Sequence, residues 1–363
     1  MRKNRLLLGV LASLFVLYLA VPAGAWDRTE AKILAILPDG SGGPEGLTVG
    51  PDGNVYVASF GFNSQGALTG LGQLFVIAPD GRLLRHVGIQ GSSPHLLGLA
   101  FNPVTGALLV LDFGAGNVLS VDSHTGASSV FATITQDAHA ANPTTPGING
   151  LTFDKTGNVY VSDSFQGVIW KIGPSGGTPS IWVTHKLLTT TGVPPFGANG
   201  DEFNNEYNTM FVANTGDDTI IQVPVNSDGT AGTPSVFVNS INGADGIVID
   251  KHDNIWVAAN QADEIVIIDK TGKVIAKLGD FEGVDEHGVP HGLLFPASPA
   301  FSADGEWLYV TDLALDLRLF GLVEAVDSQW CAQVKHYTVS KIRARIPRIG
   351  DDDDRDHRNH DRD

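Results

Sequence analysis

Four residues with oxygen-bearing side chains occupy one equivalent place in a repeated segment. Glu45, Asn149, Asn199 and Asp245 each stand directly before a glycine at the head of a strand-like run. The frames read PEGLTVGPDGNVYVAS from Pro44, INGLTFDKTGNVYVSD from Ile148, ANGDEFNNEYNTMFVAN from Ala198 and ADGIVIDKHDNIWVAAN from Ala244. Two further copies, LLGLAFNPVTGALLVLD from Leu96 and ASPAFSADGEWLYVTD from Ala297, have Leu97 and Ala297 at that place. Two carboxylates and two amides offer a hard cation oxygen ligands alone, which suits calcium better than zinc and leaves part of a six- to eight-oxygen shell for water or substrate. One divalent cation in a central channel is therefore expected. Asn-Gly and Asp-Gly are also favoured tight-turn pairs, so for three of the four frames a simple turn is the competing reading. Glu45-Gly46 is not such a pair.

The spacing says what must position these side chains. The six places are residues 45, 97, 149, 199, 245 and 297, separated by 46 to 52 residues, the length of a four-stranded propeller blade. Within each frame apolar residues alternate, as in Val55-Tyr56-Val57, with the period of two that half-buries a strand. Turn residues such as Pro51-Asp52-Gly53-Asn54 separate the first two strands. Third strands are expected at Gln73 to Ile77, Val118 to Val121, Val168 to Ile172, Thr219 to Val223 and Glu264 to Ile268, and fourth strands at, for example, Leu83 to Val87 and Val274 to Leu278. The prediction is an all-β, six-bladed β-propeller over residues 26–347. Its last blade is interrupted between Leu313 and His336 and resumes from Tyr337 to Ile346. The strand-like Ala31 to Leu37 fills the missing outer place and closes the ring, which removes an open sheet edge.

Residues 1–25 read as a signal peptide: a basic start (Met1 to Arg5), an apolar run (Leu6 to Val21) and a small-x-small step at Ala23-Gly24-Ala25. A secreted or periplasmic protein beginning near Trp26, with no membrane attachment after cleavage, is expected; the apolar run is short for a membrane span. Cys331 is the only cysteine, which excludes an internal disulfide framework, and it reads as a small buried hydrophobe. The net charge of −17 becomes −20 when Arg2, Lys3 and Arg5 leave with the signal, a field that repels nucleic acid and favours cations. Residues 348–363, RIGDDDDRDHRNHDRD, form a charged tail expected to be disordered; metal buffering by Asp351 to Asp354 with His357 and His360 is a weaker alternative. A monomer is expected.

The repeat heads resemble the senescence-marker-protein/gluconolactonase family, which includes regucalcin, gluconolactonases and diisopropylfluorophosphatase. The resemblance spans roughly Pro44 to Asp312 and is strong only at the repeat heads. It implies a catalytic calcium held by Glu in the first blade, Asn in the third and fourth, and Asp in the fifth, which here are Glu45, Asn149, Asn199 and Asp245. Asp201 departs from the family, which has an apolar residue after Asn-Gly, and no substrate-binding arginine can be matched.

Together these features predict a calcium-dependent hydrolase of the lactonase or esterase type acting on a small-molecule lactone or ester. Asp245 serves as base or nucleophile, while Glu45, Asn149 and Asn199 hold the ion. The first alternative is a non-catalytic NHL-type binding propeller whose calcium is structural. The second is a lyase similar to the streptogramin-inactivating propellers, which needs a histidine at the channel mouth. His291, within His291-Gly292-Leu293, mimics a repeat head and is the candidate for substrate binding; His95 is a lesser one. His287 and His291 are four apart, but Gly288 and Pro290 between them oppose a zinc-binding helix. Nucleophile-elbow, phosphate-loop and zinc-protease motifs are absent from the sequence.

Overall fold

The computed structural model describes residues 28–322 and 327–346. The expected signal peptide and charged tail lie outside these residues. Six four-stranded antiparallel sheets follow one another as the blades of a β-propeller. The innermost strands are Pro44–Val49, Leu96–Phe101, Ile148–Phe153, Ala198–Phe203, Ala244–Ile249 and Pro296–Phe301. Third strands at Gln73–Ile77, Val168–Ile172 and Glu264–Ile268 match the expected bounds, because each is a short alternating run between turn residues. Two short hairpins were not foreseen: Phe62–Asn63 with Gly66–Ala67, and Phe281–Val284 with Pro290–Gly292.

Blades pack through the alternate side chains of their strands. Leu109, Leu111 and Val118 of the second blade, for instance, meet Ile148, Val159, Val161 and Val168 of the third in one buried cluster. The last blade combines both ends of the described chain. Lys32–Ile36 pairs antiparallel with Thr338–Arg343, with Lys32 opposite Lys341 and Ile36 opposite Thr338. The Leu313 to His336 interruption contains only a 3-10 turn, Leu317–Phe320, and one helical turn, Ser328–Cys331, among its described residues. Cys331 is fully buried. Deleting residues 28–37 should expose the edge of Thr338–Arg343 and cause aggregation visible by light scattering during mild heating; an unchanged monomer with unchanged melting would contradict the closure role.

Two local features aim the repeat heads inward. In all six blades the pairing of first and second strands skips the key residue and its follower, as between Pro44 and Leu47 or Ala244 and Ile247. Such a bulge frees a side chain from the ladder's alternation and re-aims it. The glycines then allow close approach around the ring. A Cβ on Gly46 would lie 2.2 Å from the carbonyl oxygen of Leu97, and one on Gly200 would lie 2.6 Å from that of Asp245. The Asn-Gly and Asp-Gly pairs therefore sit inside strands, and the turn reading fails for them. In the sixth blade Ser298 replaces the glycine, and the Thr311 hydroxyl accepts from Ser298 N and donates to the Glu45 carbonyl.

Candidate functional site

Glu45, Asn149, Asn199 and Asp245 reach one pocket at the end of the channel, although up to 200 residues separate them in the chain. Each is at least 95% buried. Thr215 and Asn260 complete the polar lining, and Leu97 occupies the second blade's share. The pocket holds about 350 Å³, its open mouth included.

A second set of equivalent positions, fifteen or sixteen residues after the first and just past each second strand, holds Phe60, Phe113, Ser164, Thr215, Asn260 and Leu313. In the blades that carry Asn149, Asn199 and Asp245 these residues are polar and orient the first set. Asn260 Nδ2 donates to Asp245 Oδ2 at 2.9 Å, and Asn199 Nδ2 donates to Thr215 Oγ1 at 2.9 Å. Thr215 Oγ1 is itself fixed by donating to the Ala244 carbonyl, as Ser164 Oγ is by the Ala198 carbonyl. Asn149 Nδ2 makes a longer bond of 3.4 Å to Ser164 Oγ. In the other three blades the same positions are apolar. One residue earlier, buried polar side chains pin the loops: Asp163 accepts from the backbone of Gly147 and Gln166 and from the Trp170 indole. The endings VSD, VAN and VTD of the frames were the available sequence signal for this layer. Their role is invisible until the blades are placed side by side.

Glu45 Oε2 and Asp245 Oδ1 are buried with no hydrogen-bond partner. Burial, reinforced by the charge of Asp245, holds the Glu45 carboxyl well above its usual range. Burial pushes Asp245 up to about 7 against the opposing hydrogen bonds of Asn260 and Asn199. Among the described residues no Lys, Arg or His lines the pocket to compensate them. Two facing carboxylates with orphaned oxygens and two oriented amides fit a divalent cation. Among the described residues no three His, Cys, Asp or Glu side chains gather as a metal-holding group, so a cation here requires the amide oxygens of Asn149 and Asn199.

The remaining candidates lie elsewhere. His291 is on the Pro290–Gly292 strand of an outer hairpin, half-exposed, with Nε2 3.3 Å from Asp285 Oδ2, and does not line the pocket. Its neighbour Gly292 packs on the Asp280 carbonyl, so His291-Gly292 resembles a repeat head in letters but not in place. The lyase reading loses its proposed histidine. His287 is exposed on the same hairpin's turn. His95 lies behind the pocket wall, with Nδ1 2.8 Å from the Phe60 carbonyl and its ring stacked on Phe62. Asp201 does not disturb Asn199. Its carboxyl fills the space beside Gly150, buried and unpartnered, with burial and the nearby Glu202 holding its pKa well up.

Residues 196–279, the whole of the fourth and fifth blades, match the family described as SMP-30/Gluconolactonase/LRE-like region. The chain is similar to that family over these 84 of its 363 residues. No curated protein matches it in sequence. Among solved structures, the calcium-binding protein regucalcin of Agrobacterium tumefaciens is similar at 16% identity and a TM-score of 0.59, covering 88% of this chain and 97% of its own. A gluconolactonase of Xanthomonas campestris is similar at 14% identity and a TM-score of 0.55, covering 79% and 88%. A streptogramin B lyase is similar at 13% identity and a TM-score of 0.51, covering 80% and 96%. At these identities the likeness shows the β-propeller fold alone, and the chemistry of this chain must be argued from its own pocket.

The buried acids predict how stability follows pH. Besides Asp245, burial pushes Glu202 and Asp312 up to about 7, Asp263 to about 8 and Asp327 to about 6. In the unfolded chain these groups lose their protons near pH 4. Between pH 4 and 8 the folded state therefore holds more protons than the unfolded state, and stability falls as pH rises. In the presence of a chelator, melting should occur at lower temperature at pH 8 than at pH 5, and added calcium should raise it at pH 8. Equal or higher melting at pH 8 in chelator would contradict the assigned shifts.

Proposed function

We propose that this protein is a calcium-dependent hydrolase of lactones or esters. The observation that carries this reading is the convergence of Glu45, Asn149, Asn199 and Asp245 on one pocket in which two buried carboxylate oxygens have no partner. Glu45, Asn149, Asn199 and Asp245 would hold the ion. A bound calcium supplies Lewis-acid polarisation of a carbonyl group and compensates the negative charge that grows on its oxygen.

The chain's own residues supply the rest. Asp245 is fixed through Oδ2 by Asn260, so Oδ1 is the oxygen left free. Beside a dication the carboxylate is ionised at neutral pH. As a base, Asp245 takes a proton from water while the water oxygen bonds to the carbonyl carbon; the ring or ester C–O bond then breaks, and the proton passes to the departing oxygen. As a nucleophile, Asp245 bonds to the carbonyl carbon, the ring or ester C–O bond breaks with the departing oxygen taking a proton from water, and a water oxygen that bonds to Cγ of Asp245 in the resulting mixed anhydride then releases the acid. A single turnover in oxygen-18 water separates the two, since only the second route places the label in the Asp245 carboxylate.

A catalytic calcium is favoured over a structural one by the four-residue ligand set, which leaves two or more places of a calcium shell for other oxygens. The test is a panel of aldonolactones, simple lactones and aryl esters assayed with calcium and with chelator. Calcium-dependent hydrolysis of a panel member is expected. Inactivity throughout, together with a metal-bound structure whose shell is filled by protein oxygens, would replace this reading with a binding propeller. We further propose that the protein is exported by its N-terminal segment; a mature chain starting near Trp26 in the exported fraction is the expected result, and a retained Met1 would oppose it.

A further inference from the structure

The two halves of the pocket differ in chemistry. The third, fourth and fifth blades supply the amides of Asn149, Asn199 and Asn260, the Asp245 carboxylate and the Thr215 hydroxyl. The sixth, first and second supply Leu313, Phe60 and Leu97. Glu45 is the polar exception, and it lies in the first set with the other oxygen donors. Leu315 and Phe295 extend the apolar half, and Pro194 and Phe196 bring a further apolar edge from the fourth blade's entry loop.

Aromatic rings support this wall. Phe60 meets Phe113 edge-on at 5.7 Å, Phe113 meets Phe165 at 5.7 Å, and Phe165 meets Phe196 at 5.5 Å, a continuous series from the first blade to the fourth. The donors of the polar half are already engaged: Thr215 donates to a backbone carbonyl, Asn260 to Asp245, and Asn149 and Asn199 to hydroxyls. The acceptors left over are Glu45 Oε2, Asp245 Oδ1 and Asn260 Oδ1, all in the oxygen-lined half.

From this asymmetry, and resting on the hydrolase reading above, we propose that the substrate is a lactone or ester with an apolar, ring-sized body, its carbonyl directed to the oxygen-lined half and its body against Phe60, Phe196, Phe295, Leu313 and Leu315. A polyhydroxylated sugar lactone would turn several hydroxyls toward side chains with no donor or acceptor, and each unpaired buried hydroxyl costs about tenfold in affinity. A flat apolar ring gains dispersion and desolvation against the same wall.

The test uses the full mature protein with calcium. Rates on dihydrocoumarin and on glucono-1,5-lactone are compared, and binding of the unreactive lactam 3,4-dihydroquinolin-2-one is measured by calorimetry in the parent and in Phe196→Ser. Phe196 is half-buried on a loop, so its replacement leaves the blades intact. The expected results are a kcat/KM at least about 100-fold higher on dihydrocoumarin, micromolar to millimolar lactam binding, and about tenfold weaker binding by Phe196→Ser. Equal or faster hydrolysis of gluconolactone overturns the apolar assignment and leaves the hydrolase reading standing. Hydrolysis of neither leaves the hydrolase reading to the wider panel above, and calorimetry decides the recognition: lactam binding weakened by Phe196→Ser supports apolar recognition, and no lactam binding overturns it.

Discussion

Replacing Asp245 with Asn is expected to lower kcat/KM on the best lactone or ester by roughly 10²- to 10⁴-fold, the range for loss of a positioned base. The amide keeps the shape and can still accept the Asn260 bond, but it can neither take a proton nor attack a carbonyl. Calcium affinity should fall much less, because one neutral oxygen remains to the ion. Glu45→Gln is the contrasting variant: Glu45 Oε2 is orphaned in the pocket and has no assigned proton to move, so its loss should weaken calcium binding, and activity should recover with added calcium. Calorimetry of calcium binding beside steady-state rates reads both quantities. If Asp245→Asn lost activity only in proportion to its lost calcium, with full recovery at saturating ion, Asp245 would be a ligand and nothing more.

Gly46→Ala should destabilise the propeller by about 3 kcal/mol or more. The added methyl would sit 2.2 Å from the Leu97 carbonyl oxygen and 2.8 Å from Leu99 Cδ2. The first of these neighbours is backbone in the next blade's inner strand, so relief requires moving one blade against another. Gly173→Ala is the control. Its methyl would meet nothing closer than 3.7 Å, and its effect should stay within about 0.5 kcal/mol. Urea unfolding of both variants gives the comparison; equal midpoints would show that blade spacing at the channel yields easily.

Architecture was legible because its causes are local. A turn such as Asp52-Gly53 and the alternation in Val55–Ser59 act over a few residues, and repetition at steps of 46 to 52 multiplied a weak strand signal into six blades. Ring closure by Lys32–Ile36 was legible for the same reason, since one strand was missing at one end and present at the other. The repeat-head oxygens could be named from their equivalence. Ring geometry alone brought Asp245 close enough to Glu45 for its charge to raise the Glu45 carboxyl further.

The tertiary structure decided what the letters could not. Asn-Gly proved to be a strand position because the glycine faces the neighbouring blade's backbone, a contact some 50 residues away that no turn propensity encodes. His291-Gly292 has the letters of a repeat head without the place, since it belongs to an outer hairpin. The engagement of Asn199 by Thr215 and of Asp245 by Asn260 depends on strand ends meeting across each blade. The apolar half of the pocket comes from Phe60, Leu313, Leu315 and Phe196, which lie in connections of unlike length and sequence. A repeated strand pair specifies where an inner strand begins, because that follows from short-range pairing; the walls of the pocket follow from loops folding over a closed ring, and only the closed ring determines which of them meet.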